Sequence, residues 1–441
     1  MPRHEGVSLL RVETQGDSRG RGPLVARRLA AAGIALAALA LLAPAGRAAA
    51  PAPDAISRAA AALMAAQLPS GLFEYDFDFM EGKPSGEDNL VRQAGALFAL
   101  GEYLVDTGDP HAAAALRAGL DAMVERSLPI GRSRAQRVLE SLGLFSTTFG
   151  QGTLERLYGR LGLLYDSAGE GRLVAKGKDY EGVRSATTAL ALVAELAYFR
   201  TTQDPRFAAS RRAWVRGLLA LQVPRRGIRA VPTRLDESPY DNGEAWLALA
   251  AYHEAVPEDA EAARALVSLE DYLIALNGAR PDGAFYHWGA LASLPRFRST
   301  GDPRFARFAA DQARWALASY SPEKMAGLNT CSLVEGLAAA AAALIPTGGE
   351  PELTGRLRER VHLELERNRP LQIRPGQERL EGGEGAVLRA PALSRYAGAF
   401  RTGAHKAYTR TDYTQHCLSA LLLTRRAGLE EGRDSHRPGG R

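Results

Sequence analysis

The chain has 441 residues, of which 46% are hydrophobic and 24% charged, and it contains only two cysteines. This composition excludes an intrinsically disordered chain, a collagen-like fibre and a small disulfide-stabilised domain. The formal net charge is +5, but residues 1–50 alone hold seven arginines and three acidic residues. The rest of the chain has 48 basic and 47 acidic side chains. Nearly equal numbers of basic and acidic residues give no indication of a nucleic-acid-binding protein.

Residues 1–50 have the pattern of a secretory signal peptide. Arg27 and Arg28 precede an apolar run of 14 residues, Leu29 to Leu42, and small residues follow around Ala49. A basic segment, a short apolar run and an A-x-A cleavage site are typical of such signals. The run is shorter than the roughly 20 residues of a membrane-spanning helix. We predict a periplasmic or secreted protein without a stable transmembrane segment after cleavage; the alternative is an uncleaved N-terminal anchor.

A Thr-x-Asp-Pro phrase, beginning at Thr107, Thr202 and Thr300, occurs between pairs of helical patterns. An aspartate that caps a helix, followed by proline at the first helical position, is typical of a helix-turn-helix connection. The pattern predicts three helical hairpins: 90–105 with 111–125, 185–200 with 206–221, and 286–298 with 304–319.

Weaker versions of this turn occur around Asp259 and Glu350. From Asp109 through Asp204, Asp259 and Asp302 to Glu350, the spacings are 95, 55, 43 and 48 residues. A repeat of this length indicates an array of helix pairs. The first interval is about twice the others and predicts a further turn near 145–160.

The two helices of each pair differ in their apolar patterns. The helices before the turns are apolar on nearly every side, which predicts buried inner helices, whereas the helices after the turns are amphipathic. We therefore predict an all-α fold, an (α/α)5–6 toroid over residues 51–428, with a small β-hairpin at 163–174 and a disordered tail at 429–441. An open solenoid is the competing geometry, but its inner helices would need a polar concave face.

Two segments resemble a known superfamily. The run TGDPRFARFAADQARWAL at 300–317 resembles an outer-helix turn of the six-hairpin glycosidases and sugar epimerases, and GEAWLALA at 243–250 resembles the start of an inner helix. The resemblance extends over most of 55–427 as an architecture, without the signature of one subfamily. It implies an enzyme that hydrolyses, epimerises or eliminates from sugars, with its site at one end of the barrel.

In a closed toroid, one end of the ring, here called the mouth, collects the starts of the inner helices. Acidic and aromatic side chains together suit a sugar, because a pair of carboxylates can act on the glycosidic bond. The candidate catalytic residues are Glu335 or Glu244 as the acid, with Asp88 or Asp412 as its partner. The candidate substrate-binding residues are Arg92, Gln93, Tyr240, Asp241, Tyr286, His287, Asn329, Tyr413 and His416.

Several of these residues also have a purely structural interpretation. Asp88, Asp241 and Asp412 occupy positions where a helix N-cap belongs. Glu244 could complete a capping box with Asp241. The i, i+4 spacing also predicts a salt bridge between Asp88 and Arg92 and orientation of His416 by Asp412.

Cys331 and Cys417 both lie near the starts of inner helices in the last two hairpins. The alternatives are two free thiols, a disulfide that secures the closure of the ring, or a zinc site formed with His416. We expect no cofactor and no metal, with zinc as the lesser alternative.

The sequence predicts an exported carbohydrate-active toroid that binds an oligo- or polysaccharide of the envelope or the extracellular space. Hydrolysis is favoured over epimerisation and elimination. The alternatives are a non-catalytic toroid that binds glycans or peptides, and a zinc-dependent toroid enzyme.

Overall fold

A computed structural model describes residues 54–141, 163–381 and 387–429. The predicted signal peptide, the turn expected near 145–160 and residues 430–441 of the predicted tail lie outside these ranges. The helices within them are α1 (Ala55–Ala65), α2 (Leu90–Thr107), α3 (Pro110–Glu125), α4 (Arg134–Ser141), α5 (Ser185–Thr202), α6 (Ala208–Leu221), α7 (Pro239–Ala255), α8 (Ala260–Ala279), α9 (Tyr286–Thr300), α10 (Pro303–Ser319), α11 (Cys331–Leu344), α12 (Pro351–Asn368) and α13 (Thr411–Arg426).

Helices α2, α5, α7, α9, α11 and α13 form an inner ring. Each packs against the next in this order, and α13 packs against α2, so the ring is closed. The predicted toroid is therefore confirmed, and the open solenoid is excluded. Each of α3, α6, α8, α10 and α12 packs on the inner helix that precedes it, while α1 packs on α13 and completes the sixth pair from the other end of the chain.

The Thr-x-Asp-Pro phrases connect inner and outer helices as predicted. The side chains of Asp109, Asp204 and Asp302 accept hydrogen bonds of 2.9–3.0 Å from the backbone two residues later, and a proline follows each. The preceding helices α2 and α9 end at glycines with left-handed backbone, whereas α5 ends at Gln203 with a φ of 57°. The local capping chemistry thus determines where three of the six hairpins turn.

Three small antiparallel sheets lie outside the ring: β1 (Asp76–Asp78) with β6 (Tyr408–Arg410), β2 (Ser127–Gly131) with β3 (Asp166–Val174), and β4 (Arg379–Glu381) with β5 (Val387–Arg389). The hairpin predicted at 163–174 is wrong. This segment supplies one strand, β3, which pairs with β2 about 40 residues earlier, opposing Ser127 to Val174. Part of the 95-residue interval therefore belongs to this sheet and to α4, and α2 and α5 are neighbours in the ring.

The inner helices pack closely because their facing residues are small or aromatic. Trp246 is fully buried, with its ring 6.2 Å from Phe285 and 5.6 Å from Phe308. Gly243 lies one turn before Trp246, and a Cβ placed there would lie only 2.5 Å from the Cβ of Trp288. A glycine is therefore required where α7 and α9 meet at the mouth.

Buried ion pairs also connect inner and outer helices elsewhere in the ring. Glu195 of α5 accepts two hydrogen bonds, of 2.6 and 2.8 Å, from Arg211 of α6. Glu270 of α8 is bound in the same bidentate manner by Arg296 of α9. Both carboxylates are completely buried, so each depends on guanidinium partners, and Glu270 has a second one in Arg304 at 2.6 Å.

Candidate functional site

A cavity of about 530 Å³ lies at the mouth, where the inner helices begin. Five of the six inner helices contribute its walls, each through its first or second turn. Of the residues predicted for the site, Asp88, Arg92, Tyr240, Asp241, Glu244, His287, Asp412 and His416 line the cavity. The toroid thus brings together side chains that are up to 328 residues apart in sequence.

Asp241 joins the starts of two neighbouring inner helices. It is completely buried in the first turn of α7, and Ser238, not Asp241, is the N-cap of that helix. One carboxylate oxygen of Asp241 accepts hydrogen bonds from Ser185 Oγ at 3.1 Å and from the amide of Ala186 at 3.2 Å, and the Arg184 guanidinium binds the carboxylate. The Asp241 carboxylate therefore fixes the position of Arg184 on the cavity wall.

Glu244 lies one turn further along α7 and lines the same cavity. Its side chain is buried, and its Oε2 atom has no hydrogen-bond partner among the described residues. The predicted capping box with Asp241 does not form, because Ser238 is the N-cap of α7 and its hydroxyl accepts a hydrogen bond from the amide of Asp241. Burial, followed by the nearby charge of Asp241, raises the pKa of Glu244 well above 4.5, and Arg184 only partly offsets this. A carboxyl group whose pKa is raised by burial is suited to act as a general acid.

Asp412 is held between two arginines. Arg410 donates to both of its oxygens at 2.7 and 2.8 Å, and Arg92 Nε lies 2.9 Å from Oδ2. Asp412 is the second residue of α13, which begins after Arg410, so it is not the N-cap. The salt bridge predicted between Arg92 and Asp88 is wrong, because the ring brings Arg92 to Asp412 instead.

Asp88 lies just before α2, where Asn89 is the N-cap. Its Oδ1 accepts a hydrogen bond of 2.8 Å from Gln93, and its backbone carbonyl accepts one of 3.0 Å from Lys176. Gln93 is buried and exchanges two further hydrogen bonds with the backbone of Phe73. Gln93 therefore positions Asp88. The prediction that Gln93 binds substrate is not supported, because Gln93 does not line the cavity.

Glu335 and His416 form a pair across two inner helices. His416 Nδ1 lies 2.7 Å from Oε2 of the fully buried Glu335, so Glu335, not Asp412, orients the imidazole. Burial on its own lowers the pKa of His416, but the charge and hydrogen bond of Glu335 outweigh it, so the pKa is raised. Burial raises the pKa of Glu335, and His416 partly offsets that increase.

His287 lies beside this pair, with its ring centroid 5.6 Å from that of His416. Burial, together with the charge of His416, lowers the pKa of His287 well below 6.5. Its Nε2 atom is buried without a hydrogen-bond partner. Two imidazoles with opposite pKa shifts are thus in contact at the wall of the cavity.

Three of the predicted binding residues lie away from this cavity. The Tyr286 hydroxyl donates to the carbonyl of Leu333 at 2.6 Å inside the core, and Asn329 donates to the carbonyl of Arg401 at 3.0 Å. The ring of Tyr413 lies beneath the Arg410 guanidinium, 5.0 Å away. All three residues lie near the starts of inner helices, but their side chains point away from the cavity and contact other parts of the protein.

The cavity wall also contains residues that the sequence analysis missed, among them Lys176, Arg184 and Gln415. Arg184 directly precedes the apolar helix α5, the position that polar residues occupy at the other inner helices, so the same rule would have found it. Lys176 follows strand β3 and reaches the mouth only through the fold, and no local pattern indicates this.

Cys331 and Cys417 form a disulfide between α11 and α13, with 4.8 Å between their Cα atoms. The free-thiol alternative is therefore wrong. The zinc site proposed from Cys331, Cys417 and His416 is also wrong in this form, because disulfide sulfurs are not the thiolates that bind zinc.

Among the described residues, no helix is both long and apolar enough to cross a membrane.

No protein-family model and no curated protein matches the sequence. Solved structures do resemble it. The GH76 alpha-mannanase of Bacteroides thetaiotaomicron superposes with a TM-score of 0.53 at 8% identity, over 86% of this chain and 96% of that chain. The GH76A alpha-1,6-mannanase of a Salegentibacter species gives 0.52 at 12% identity, over 85% and 98%. The chain has the fold of the six-hairpin glycosidases.

An inactive variant of the Salegentibacter enzyme, in complex with alpha-1,6-mannotriose, gives a TM-score of 0.51 at 13% identity, over 85% of this chain and 99% of that chain. The superfamily resemblance inferred from 243–250 and 300–317 is thereby confirmed at the level of fold. These identities are too low to transfer a site, so the chemistry of the cavity must be argued from its own residues.

Proposed function

We propose that this protein is an exported glycoside hydrolase that acts on an oligo- or polysaccharide of the envelope or the extracellular space. The structures that share its fold include hydrolases of alpha-1,6-mannan, one of them with a bound mannooligosaccharide. A cavity of about 530 Å³ has room for a few sugar rings of such a substrate.

Glu244 carries this proposal. It is buried on the cavity wall, one of its oxygens is unpartnered, and burial raises its pKa, which are the properties of an acid that protonates a leaving glycosidic oxygen. Glu335, the other candidate acid, is bound to His416 and does not line the cavity. Glu244 is therefore the proposed general acid.

Asp88 is the proposed second carboxylate. Glycoside hydrolysis uses an ionised carboxylate opposite the acid, as base or nucleophile. Asp412 is engaged by two guanidinium groups, and Asp241 by Arg184 and two donors of α5. Asp88 is half-buried on the cavity wall and keeps Oδ2 free of hydrogen bonds to the described residues.

The remaining wall residues suit sugar binding. Arg92 and Arg184 are fixed by carboxylates and can donate their other N–H groups to hydroxyls. Tyr240 is about half exposed at the rim, where its ring can stack on a pyranose face.

Export is proposed from two observations. Residues 1–50 have the signal-peptide pattern, and the disulfide between Cys331 and Cys417 is of a kind that persists in oxidising compartments. Comparison of the mature N-terminus in periplasmic and culture fractions with the full sequence tests this part directly.

The test of function is product analysis on a panel of mannans and other envelope glycans. We expect the wild type to release oligosaccharides with new reducing ends. Glu244→Gln should lower kcat by about 10²–10⁴-fold while glycan binding is retained. The matched control is Glu254→Gln, an exposed position at the far end of the same helix, which should behave as wild type. Glycan binding by the wild type without any turnover would instead support the non-catalytic toroid.

A second candidate function, epimerisation of a reducing sugar, is favoured by the contact between His287 and His416. Two imidazoles side by side can remove and return a proton at a carbon next to a carbonyl. This activity would incorporate solvent deuterium into free monosaccharides without release of new reducing ends, so incubation with reducing monosaccharides in heavy water separates it from hydrolysis.

A further inference from the structure

Three metal-ligating side chains meet beside the cavity, and two of them, His287 and His416, line it. They come from three different inner helices: His287 from α9, Glu335 from α11 and His416 from α13. One ligand atom from each residue lies within 4.8 Å of the other two. Such a cluster, with each residue supplied by a separate rigid helix, is preformed by the packing of the ring.

The cluster contains buried polar atoms that lack hydrogen-bond partners in the described part of the chain. Within 54–141, 163–381 and 387–429, neither Nε2 of His287, which is 5% exposed, nor Oε1 of the fully buried Glu335 has a hydrogen-bond partner. Buried polar atoms in native proteins nearly always have a hydrogen-bond partner, so two unpartnered atoms in one cluster indicate a missing ligand.

We propose that His287, Glu335 and His416 bind one divalent transition-metal ion, with zinc as the best fit. Two imidazoles and one glutamate are a ligand set of catalytic zinc sites, in which a fourth position stays open for water or substrate. Calcium and magnesium prefer oxygen ligands, which two imidazoles do not supply. His287 and His416 both line the cavity, so the open position would face the sugar.

The charges around the cluster are compatible with a cation. Arg92 is the nearby cationic side chain that acts on His416, and its guanidinium is bound to Asp412 at 2.9 Å. Glu335 supplies the one negative charge among the three ligands. Its present hydrogen bond to His416 would be exchanged for two bonds to the metal.

This site is separate from the zinc alternative considered from sequence, which used the two cysteines, and it does not depend on the proposed hydrolysis. Glu244 belongs to α7, outside the cluster, and neither supplies a ligand nor bonds to one in the described residues. A bound metal would hold sugar hydroxyls in the cavity, while Glu244 acts from the wall.

The experiment is a zinc titration of the full-length, untagged protein by isothermal calorimetry after removal of metals. We expect about one ion bound per chain. His287→Ala, His416→Ala and Glu335→Gln should each weaken binding at least about tenfold. The matched control is His405→Ala, an exposed histidine, which should bind zinc as the wild type does. No binding, or binding that all three variants retain, would overturn the proposal.

X-ray absorption at the zinc edge of the wild type keeps the test valid if a variant fails to fold. We expect a first shell of nitrogen and oxygen with the scattering of two imidazoles, and a sulfur or all-water shell would contradict the site. Glu244→Gln should bind zinc like the wild type. Loss of hydrolysis in that variant with zinc retained supports both proposals, whereas hydrolysis by a protein that binds no zinc overturns only this one.

Discussion

His416 Nδ1 lies 2.7 Å from Oε2 of Glu335, a residue 81 positions earlier in the chain. The contact joins α11 and α13, the last two inner helices of the ring. The disulfide of Cys331 and Cys417 joins the same two helices at adjoining positions. The packing of α11 against α13 is therefore secured by a covalent bond.

The disulfide should contribute strongly to stability, because it closes a loop of 86 residues that is unconstrained in the reduced unfolded chain. Reduction should lower the free energy of unfolding by about 2–4 kcal/mol. Guanidinium unfolding with and without dithiothreitol measures the difference. The double variant Cys331→Ser/Cys417→Ser should be indifferent to the reductant; equal stability of the oxidised and reduced wild type would argue against a structural role.

The buried ion pair of Glu195 and Arg211 should be far more sensitive to mutation than an exposed pair between neighbouring helices. Glu195→Gln leaves a buried guanidinium without its charge partner and should cost about 3–5 kcal/mol. Asp121→Asn breaks an ion pair with Arg206 whose side chains are both about half exposed, and should cost less than about 1 kcal/mol. Denaturant unfolding of both variants is the measurement, and similar losses would be inconsistent with this packing.

Two helical glycines should respond oppositely to alanine. In Gly243→Ala the new Cβ would lie 2.5 Å from the Cβ of Trp288, so we expect a loss of about 1–3 kcal/mol. In Gly355→Ala nothing lies within 4 Å of the new Cβ, and the better helix former should stabilise α12 by about 0.5–1 kcal/mol. Thermal unfolding of the two variants, compared with the wild type, shows whether α7 and α9 are in close contact at the mouth.

Glu244 should make the stability of the protein depend on pH. Its pKa is raised in the folded state, so above its ordinary value of 4.5 the unfolded chain releases a proton that the folded chain retains. The wild type should therefore lose stability relative to Glu244→Gln as pH rises from 4.5 through the raised pKa. We expect the midpoint temperature of Glu244→Gln, relative to wild type, to increase by about 2 °C or more between pH 4.5 and 7.5.

The control for this pH series is Glu254→Gln. Glu254 is exposed at the other end of α7, so this variant removes a carboxylate from the same helix without emptying a buried site. A stability difference between Glu244→Gln and wild type that does not change with pH would mean that burial does not raise the pKa of Glu244, and it would remove the physical basis for its role as an acid.

The closed ring could be predicted from the sequence because its signals are local. The caps at Asp109, Asp204 and Asp302 depend on residues two positions away, and the inner helices differ from the outer ones in their own apolar patterns. The β2–β3 sheet was not predicted because its strands lie about 40 residues apart, and a local pattern does not contain a pairing over that distance.

The membership of the mouth was also largely predictable, since a toroid places every inner-helix start at one end. Which side chains pair with each other within the mouth was not predictable. Spacing within one helix assigned Arg92 to Asp88 and His416 to Asp412, whereas the ring pairs Arg92 with Asp412 and His416 with Glu335. Contacts between helices depend on their rotation and relative height, which a local pattern does not contain.

The most direct test of Glu244 as the acid compares two leaving groups in the same variant. An aryl glycoside with a strongly acidic phenol departs without a proton, whereas the natural sugar leaving group needs one. We expect Glu244→Gln to lose about 10²-fold or more in kcat/KM on the glycan and less than about tenfold on the activated aryl glycoside. Equal losses on both substrates, or none on the glycan, would contradict the central claim.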